Sequence, residues 1–530
     1  MLNNGGGNGI QSSAQDPAML KIFTRFTLAV LGLMFACPVS ANDWYVDAAT
    51  GSDSNGGSSW ADAWRTVSHA AAAAPLQAGE VIQIAAGLYD TAHGESFPIT
   101  ARPGRTFIGV DGSGSTILDA GSTGLSVLRI NGWNSYLNLS GLTLREATFG
   151  IHNYVPDFES YSLDLVDVQI EATQTAIFCS LLEGVMSVTM DSSVLHHNQN
   201  GINISSIGHH ANLNFHAVDS SFSDNLDYGV RLKIAGPASS SDTSWRRCQF
   251  LRNGGTGLVL VGGAYWSVGV HAKLYDCLLA KNRGSGVVND WGRTRLEGCT
   301  VADNAVTGNL VAVDASCLML GSLLFGNGDD LLPQGETSAS YCDIGDGDLA
   351  GTNNNFSADP LFVDPLVEDY RLRFGSPCVD AGEPDLVVPR SDLVGTPRDL
   401  DGDLVGTAAV DVGALELAPL ELVGTPSIGS IVELQLWGPP SGISRVFIHR
   451  GPALNPGVIT PFGELFLDRA LLTTIGSGLT QLGPPGSLPW SIPPASVLVG
   501  RTVTLQAISS NGSPLQPWSL TNPIEIVFLP

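Results

Sequence analysis

Charge is scarce in this chain: Asp, Glu, Lys and Arg together make up 14% of its residues. Basic residues are the scarcer half, 25 against 51 acidic ones, which leaves a net charge of −26. That balance excludes nucleic acid and anionic membrane surfaces as natural partners, since both would be repelled. An acidic substrate is repelled at long range too, unless a local basic patch overrides the field. Long apolar runs are also missing. The run from Phe26 to Ala36 is too short to span a bilayer, and no later segment is long enough to anchor the chain. There is no CxxC pair and no Cys/His spacing of the zinc-binding kind.

What is present begins with length. At 530 residues the chain is too long for one ordinary core, and 62 glycines suit a turn-rich β protein. Residues 1–41 read as a leader. Lys21 and Arg25 precede the apolar run, and Val39-Ser40-Ala41 forms a small-residue cleavage site, with Met19 a more natural start than Met1. The alternative is a lipoprotein leader acylated at Cys37, but Met34-Phe35-Ala36 is a poor lipobox. The expected location is extracellular or cell-surface, with the periplasm as the alternative.

One phrase is written repeatedly. "RNGGTGLVL" starts at Arg252 and "KNRGSGVVN" at Lys281, and their glycine recurs at Gly150, Gly201, Gly229, Gly257, Gly286 and Gly308, with Ala176 filling the gap. The steps of 26, 25, 28, 28, 29 and 22 residues are too irregular for leucine-rich or propeller repeats and suit a solenoid. Nine and seven residues before the glycine stand Ser192/Val194, Ser220/Phe222, Cys248/Phe250, Cys277/Leu279 and Cys299/Val301, a small-plus-large pattern of period two. A second strand follows the glycine and a third precedes the first. Three short strands per coil, without close-set hairpin signals, predict a parallel β-helix. Asn225, Asn253, Asn282 and Asn304 lie four before the glycine and Asn198 three before, so a stacked Asn column should satisfy the turn backbone. Cys248, Cys277 and Cys299 share another column that Cys342 continues. Seven cysteines remain after leader removal, so at least one cannot pair; a buried thiol column is the first reading, with Cys342–Cys378 the disulfide most expected.

The two ends carry family signatures. Tyr45, Val46, Asp47, Gly51, Ser52, Asp53, Gly79, Ile82, Gly87 and Tyr89 stand in a segment that resembles the N-terminal part of exported bacterial right-handed β-helix proteins of the pectin-lyase-like superfamily. Ala61 to Ala74 there reads as a capping helix with Trp64 and Val67 on one face. Ser357–Gly382 and Arg398–Glu416 resemble the terminal segment of choice-of-anchor Q β-helix proteins. The first resemblance implies the right hand of the solenoid. The second implies an exported surface protein, usually without assigned catalysis, although no LPxTG-like motif is present. From about Leu420 alternating strands punctuated by Pro and Gly suggest a small β-sandwich. The expected domains are the leader (1–41), cap and first coils (42–120), repeats (121–355), terminal segment (356–417) and sandwich (418–530).

Chemistry is fainter. Five residues before the glycine lie His196, Asp224, Arg252, Lys281 and Asp303, an outward column. A polysaccharide lyase needs a base and an anion-stabilising cation, roles open to His196 or Lys281 and to Arg252. The simpler account is a solvated ladder of alternating charge. Asp219, Asp224, Asp227 and Asp290 offer carboxylates for a glycosidase, whose separation the sequence does not set. Asp399, Asp401 and Asp403 alternate as in a calcium loop, but the twelfth position is Val410 rather than Glu, so this is no EF-hand. Calcium is the one cofactor this pattern suggests. The expectation is therefore an exported, monomeric, non-catalytic surface protein. Its β-helix would be a scaffold or a face for a polysaccharide or cell-surface component, with no nucleic-acid partner and no transmembrane anchor. The alternative is a polysaccharide lyase or glycoside hydrolase working in a groove of the solenoid.

Overall fold

The computed structural model describes residues 43–530 except 75–78, 103, 131–134, 156–158, 207, 237, 264–269, 312–314, 385–390, 399, 404–407, 424, 437–442, 451–457, 461–462, 466–472, 480–485, 493, 495–497, 511–517 and 522–523. The leader therefore lies outside the described residues, as do Cys37 and the cleavage site.

The repeats form a right-handed parallel β-helix with three faces. Sheet A stacks Gly184–Asp191, Ala211–Val218, Ser240–Arg246, Val270–Tyr275, Gly292–Glu297, Ser316–Leu320 and Glu336–Ser340. Sheet B is the short strand of each coil, from Val194–His196 to Asp343–Ile344, and sheet C runs from Asn200–Ser206 to Leu331–Pro333. In two earlier coils a single extended run, Ser135–Val155 or Glu159–Leu181, passes round all three faces.

The repeated residues have distinct physical jobs. Asn198, Asn225, Asn253, Asn282, Asn304 and Asn327 form a ladder in which each Nδ2 donates to the next Oδ1, at 3.2, 3.0, 2.9, 2.8 and 2.8 Å. Each Nδ2 also donates to a carbonyl of an earlier coil, as Asn282 does to Phe250, and each Oδ1 accepts the backbone N–H of the residue one coil before, Thr173 for Asn198 and the preceding Asn for the rest. No polar capacity of these buried amides is wasted. The residue just before each Asn pays in backbone strain: Asp224, Arg252, Lys281 and Asp303 sit at φ 56°, 53°, 55° and 54°. The glycine column is set by proximity. A Cβ on Gly201 would lie 2.0 Å from the Gly229 carbonyl oxygen, and one on Gly286 2.7 Å from that of Gly308.

Three expectations need correction. In the Gly201 coil the inward pair is Ser193/Leu195, not Ser192/Val194, because Asn198 sits one residue nearer the glycine and shifts the register. The capping helix is only Val67–Ala73. Thr66 caps it by accepting from His69, while Trp64 lies ahead of it, stacked on Trp44. Asp53 explains the early boundary, since its carboxylate takes the N–H groups of Arg65 and Thr66 and holds them extended. Finally, all seven described cysteines are free and buried. Cys248, Cys277 and Cys299 stack inward as expected, and the Cys378 thiol donates to Asp343 Oδ2 at 3.2 Å instead of bonding Cys342.

Residues 356–417 fold back along sheet B. Its outward Leu251, Leu278, Ala280, Ala302 and Leu323 are buried against Phe362, Tyr370, Leu372, Val412 and Ala414, a second core outside the solenoid. The anchor is Arg398, 3% exposed. Its Nη2 donates to the Asp411 and Gly413 carbonyls, and its Nε lies 3.7 Å from Asp276 on the solenoid and 3.9 Å from Glu416. Beyond Leu420 two antiparallel sheets, one of Leu420–Val423, Ile431–Leu436 and Gly486–Ser491 and one of five strands around Thr502–Ser510, share a third core.

Candidate functional site

The predicted outward column is largely consumed by structure. Arg252 grips Asp224 through two bonds of 2.7 and 2.6 Å and also pairs with Glu368 of the folded-back segment. The Arg252 guanidinium holds the Asp224 carboxyl below the usual range. Lys281 Nζ donates to the Leu366 carbonyl at 3.0 Å, and Asp303 accepts from the Tyr370 hydroxyl at 2.8 Å. His196 is not in this column. The register shift puts His197, at φ 55°, in its place, and His196 ends a sheet B strand beside Ser223, 3.5 Å from Glu171. Burial keeps its imidazole below the ordinary range despite that carboxylate. His196, Arg252 and Lys281 therefore do not converge on one reacting position; Arg252 and Lys281 dock the folded-back segment, while His196 faces Glu171.

A different surface has the better geometry. Along the outer face of sheet A two columns run in register: Asp242, His271, Arg293, Ser316 and Glu336, and beside them Ser244, Lys273, Arg295, Leu318 and Ser338. Two successive coils thus place four basic side chains in a two-by-two array, with neighbours about 5 Å apart across strands and about 7 Å along them. A cleft of about 490 Å³ lies over them, lined also by Ser316, Leu318, Glu336 and Ser338. Lys273 leans on Asp242 at 3.0 Å and Arg295 on Glu297 at 2.9 Å, whereas Arg293 and His271 are exposed and form no ion pair among the described residues. In a chain of −26 this array concentrates positive potential, and its donors suit carboxylates on a bound polymer.

The carboxylate cluster also differs from expectation. Asp399 lies outside the described residues. Asp401 and Asp403 are joined instead by Asp380, their carboxylate oxygens falling within 4.8 Å of one another. Asp380 accepts from the Asp403 and Ala409 N–H groups at 2.9 and 3.0 Å, and burial, with the two neighbouring carboxylates, pushes it up to about 6. A proton or a divalent cation such as calcium relieves that repulsion. Because the folded value exceeds the ordinary one, the stability Asp380 adds is complete below pH ~4 and is lost as pH rises through 6. Melting curves taken in chelator should therefore fall between pH 4.5 and 7.5, and millimolar calcium should flatten the fall. Superimposable curves would leave the proton as the only occupant.

Residues 49–140 match the family model described as a protein of unknown function, DUF1565. No curated protein matches the chain. Among solved structures the chain is similar to pectate lyase Pel9A, at 16% identity over 71% of this chain and 96% of that one, with a TM-score of 0.49. It is also similar to a GH136 lacto-N-biosidase from Eubacterium ramulus (8% identity, 57% and 67% covered, TM-score 0.28) and to the catalytic domain of a GH87 α-1,3-glucanase (11%, 60% and 70%, 0.28).

Proposed function

We propose that the chain is an exported, non-catalytic glycan-binding protein whose sheet A face holds an acidic polysaccharide. The observation that carries this reading is the array of His271, Lys273, Arg293 and Arg295 on adjacent strands of a strongly acidic chain. A polymer lying along the axis would meet a new coil every ~4.8 Å, with carboxylates on the basic coils and hydroxyls on Asn214, Ser244 and His216 of the earlier ones. The leader motivates export, and the sandwich beyond Leu420 is the part left to dock elsewhere. Binding of polygalacturonate and alginate, set against a neutral galactan, tests the reading. The Arg293→Ala/Arg295→Ala double variant should lose at least tenfold in affinity for the acidic polymers, and wild-type binding should weaken with salt. Equal affinity for neutral and acidic polymers would overturn it.

One feature favours lyase chemistry as the second reading. His271 stands one coil from Arg293, so a base and an anion-stabilising cation share one face. Release of unsaturated, ultraviolet-absorbing ends in the same assay, lost in His271→Ala, would establish it.

A further inference from the structure

A second outward face carries a different chemistry. On sheet C, five successive coils bring Arg129, His152, Phe178, Asn203 and Arg231 into one column by direct strand pairing. Phe149 completes an aromatic cluster with them: its ring lies 4.7 Å from that of His152 and 4.9 Å from that of Phe178. In the neighbouring column Tyr154, 52% exposed, is followed by Ser180, Ser205 and Lys233. Rings of this size normally turn inward in a solenoid, as Phe222 and Phe250 do here. Partly exposed rings grouped on a solvent face mark a binding surface.

The occupant follows from the order of the column. A cation stands at each end, with rings in the first half and an amide in the second, over about 19 Å of axis. Neither Arg129 nor Arg231 has a carboxylate partner among the described residues. An apolar peptide would leave both guanidinium groups unanswered, and three rings are too small an area for a stable protein interface. A sugar chain answers every element: its C–H faces pack on the rings, its hydroxyls meet Asn203, Ser180 and Ser205, and acidic groups meet the terminal arginines. We propose that this sheet C face is a second glycan site, built for an acidic oligosaccharide of about four or five units. It stands on residues separate from the sheet A array and does not depend on that reading.

The test uses the full chain carrying Arg293→Ala/Arg295→Ala, so that sheet A is silenced, and a pentamer of galacturonate titrated by calorimetry. One site per chain should remain. Adding Phe178→Ala should cut its affinity at least tenfold, and Arg129→Ala/Arg231→Ala should do the same and also remove its salt dependence. Because these side chains face solvent, an unchanged circular dichroism spectrum and melt should accompany each loss. No binding by the silenced chain, or binding indifferent to Phe178→Ala, overturns the proposal. A wild-type chain that binds no tighter than the silenced one would instead count against the sheet A face alone.

Discussion

Replacing Cys277 with aspartate should cost more than about 4 kcal/mol and leave little folded protein. Cys277 is wholly buried between Cys248 and Cys299, and its thiol donates to the Tyr275 carbonyl at 3.3 Å. Burial, together with the neighbouring Cys248 and Cys299 thiols, holds its own weak acid far above the ordinary thiol range, and a carboxylate in that place would meet carbonyl oxygens rather than donors. Cys277→Ala separates shape from charge: it removes one sulfur and should cost about 1–2 kcal/mol. Denaturant melts of both variants check the pair. An aspartate variant that unfolds with the alanine variant would mean that the column does not point inward.

Arg398→Ala should cost about 3–5 kcal/mol, the usual penalty for taking one member out of a buried charge network. Asp276, Asp411 and Glu416 are all at most 7% exposed, and Arg398 is a cation placed among them. Losing it also frees the Asp411 and Gly413 carbonyls. The damage should be local first. Hydrogen exchange is expected to rise across residues 356–417 and the sheet B strands they cover, while sheet C keeps its protection. Arg398→Lys should fall between, since it keeps the charge without the fork that reaches two carbonyls. Uniform loss of protection would show that the segment and the solenoid melt as one unit.

How much of this was legible follows from what repeats. Asn282 and Gly286 recur in register because each must fit its own copy one coil away, so stacking writes them into the sequence. The sheet A face has no such constraint. Asp242, His271, Arg293 and Ser316 occupy one column with four chemistries, since nothing above or below dictates an outward residue. A signal was nonetheless present: His271 and Arg293 each lie six residues before a column cysteine, and Lys273 and Arg295 four before. Leu278, between the inward Cys277 and Leu279, is buried because a segment more than 80 residues later covers it. Asp380 joins Asp401 and Asp403 only through the fold of that segment. The misplaced column residues Ser192, Val194 and His196 all trace to a single deleted position before Gly201.

The asparagine ladder has a direction. Along the row one N–H of every amide donates toward the C-terminal coils; the row is entered by the Thr173 hydroxyl, which donates to Asn198, and ends where Asn327 donates to Asp330 Oδ1 at 2.8 Å. Aligned amide dipoles add, so the row acts like the axis of a helix, with its positive pole at the far end. A carboxylate is the fitting terminator there, as it accepts without needing to donate. Burial raises Asp330 above the usual carboxyl range, while the amide and N–H of Asn327 pull against that rise. The solenoid is therefore polarised from inside: a coil added in the middle needs only another asparagine, whereas one added after Asp330 would have to begin with a donor.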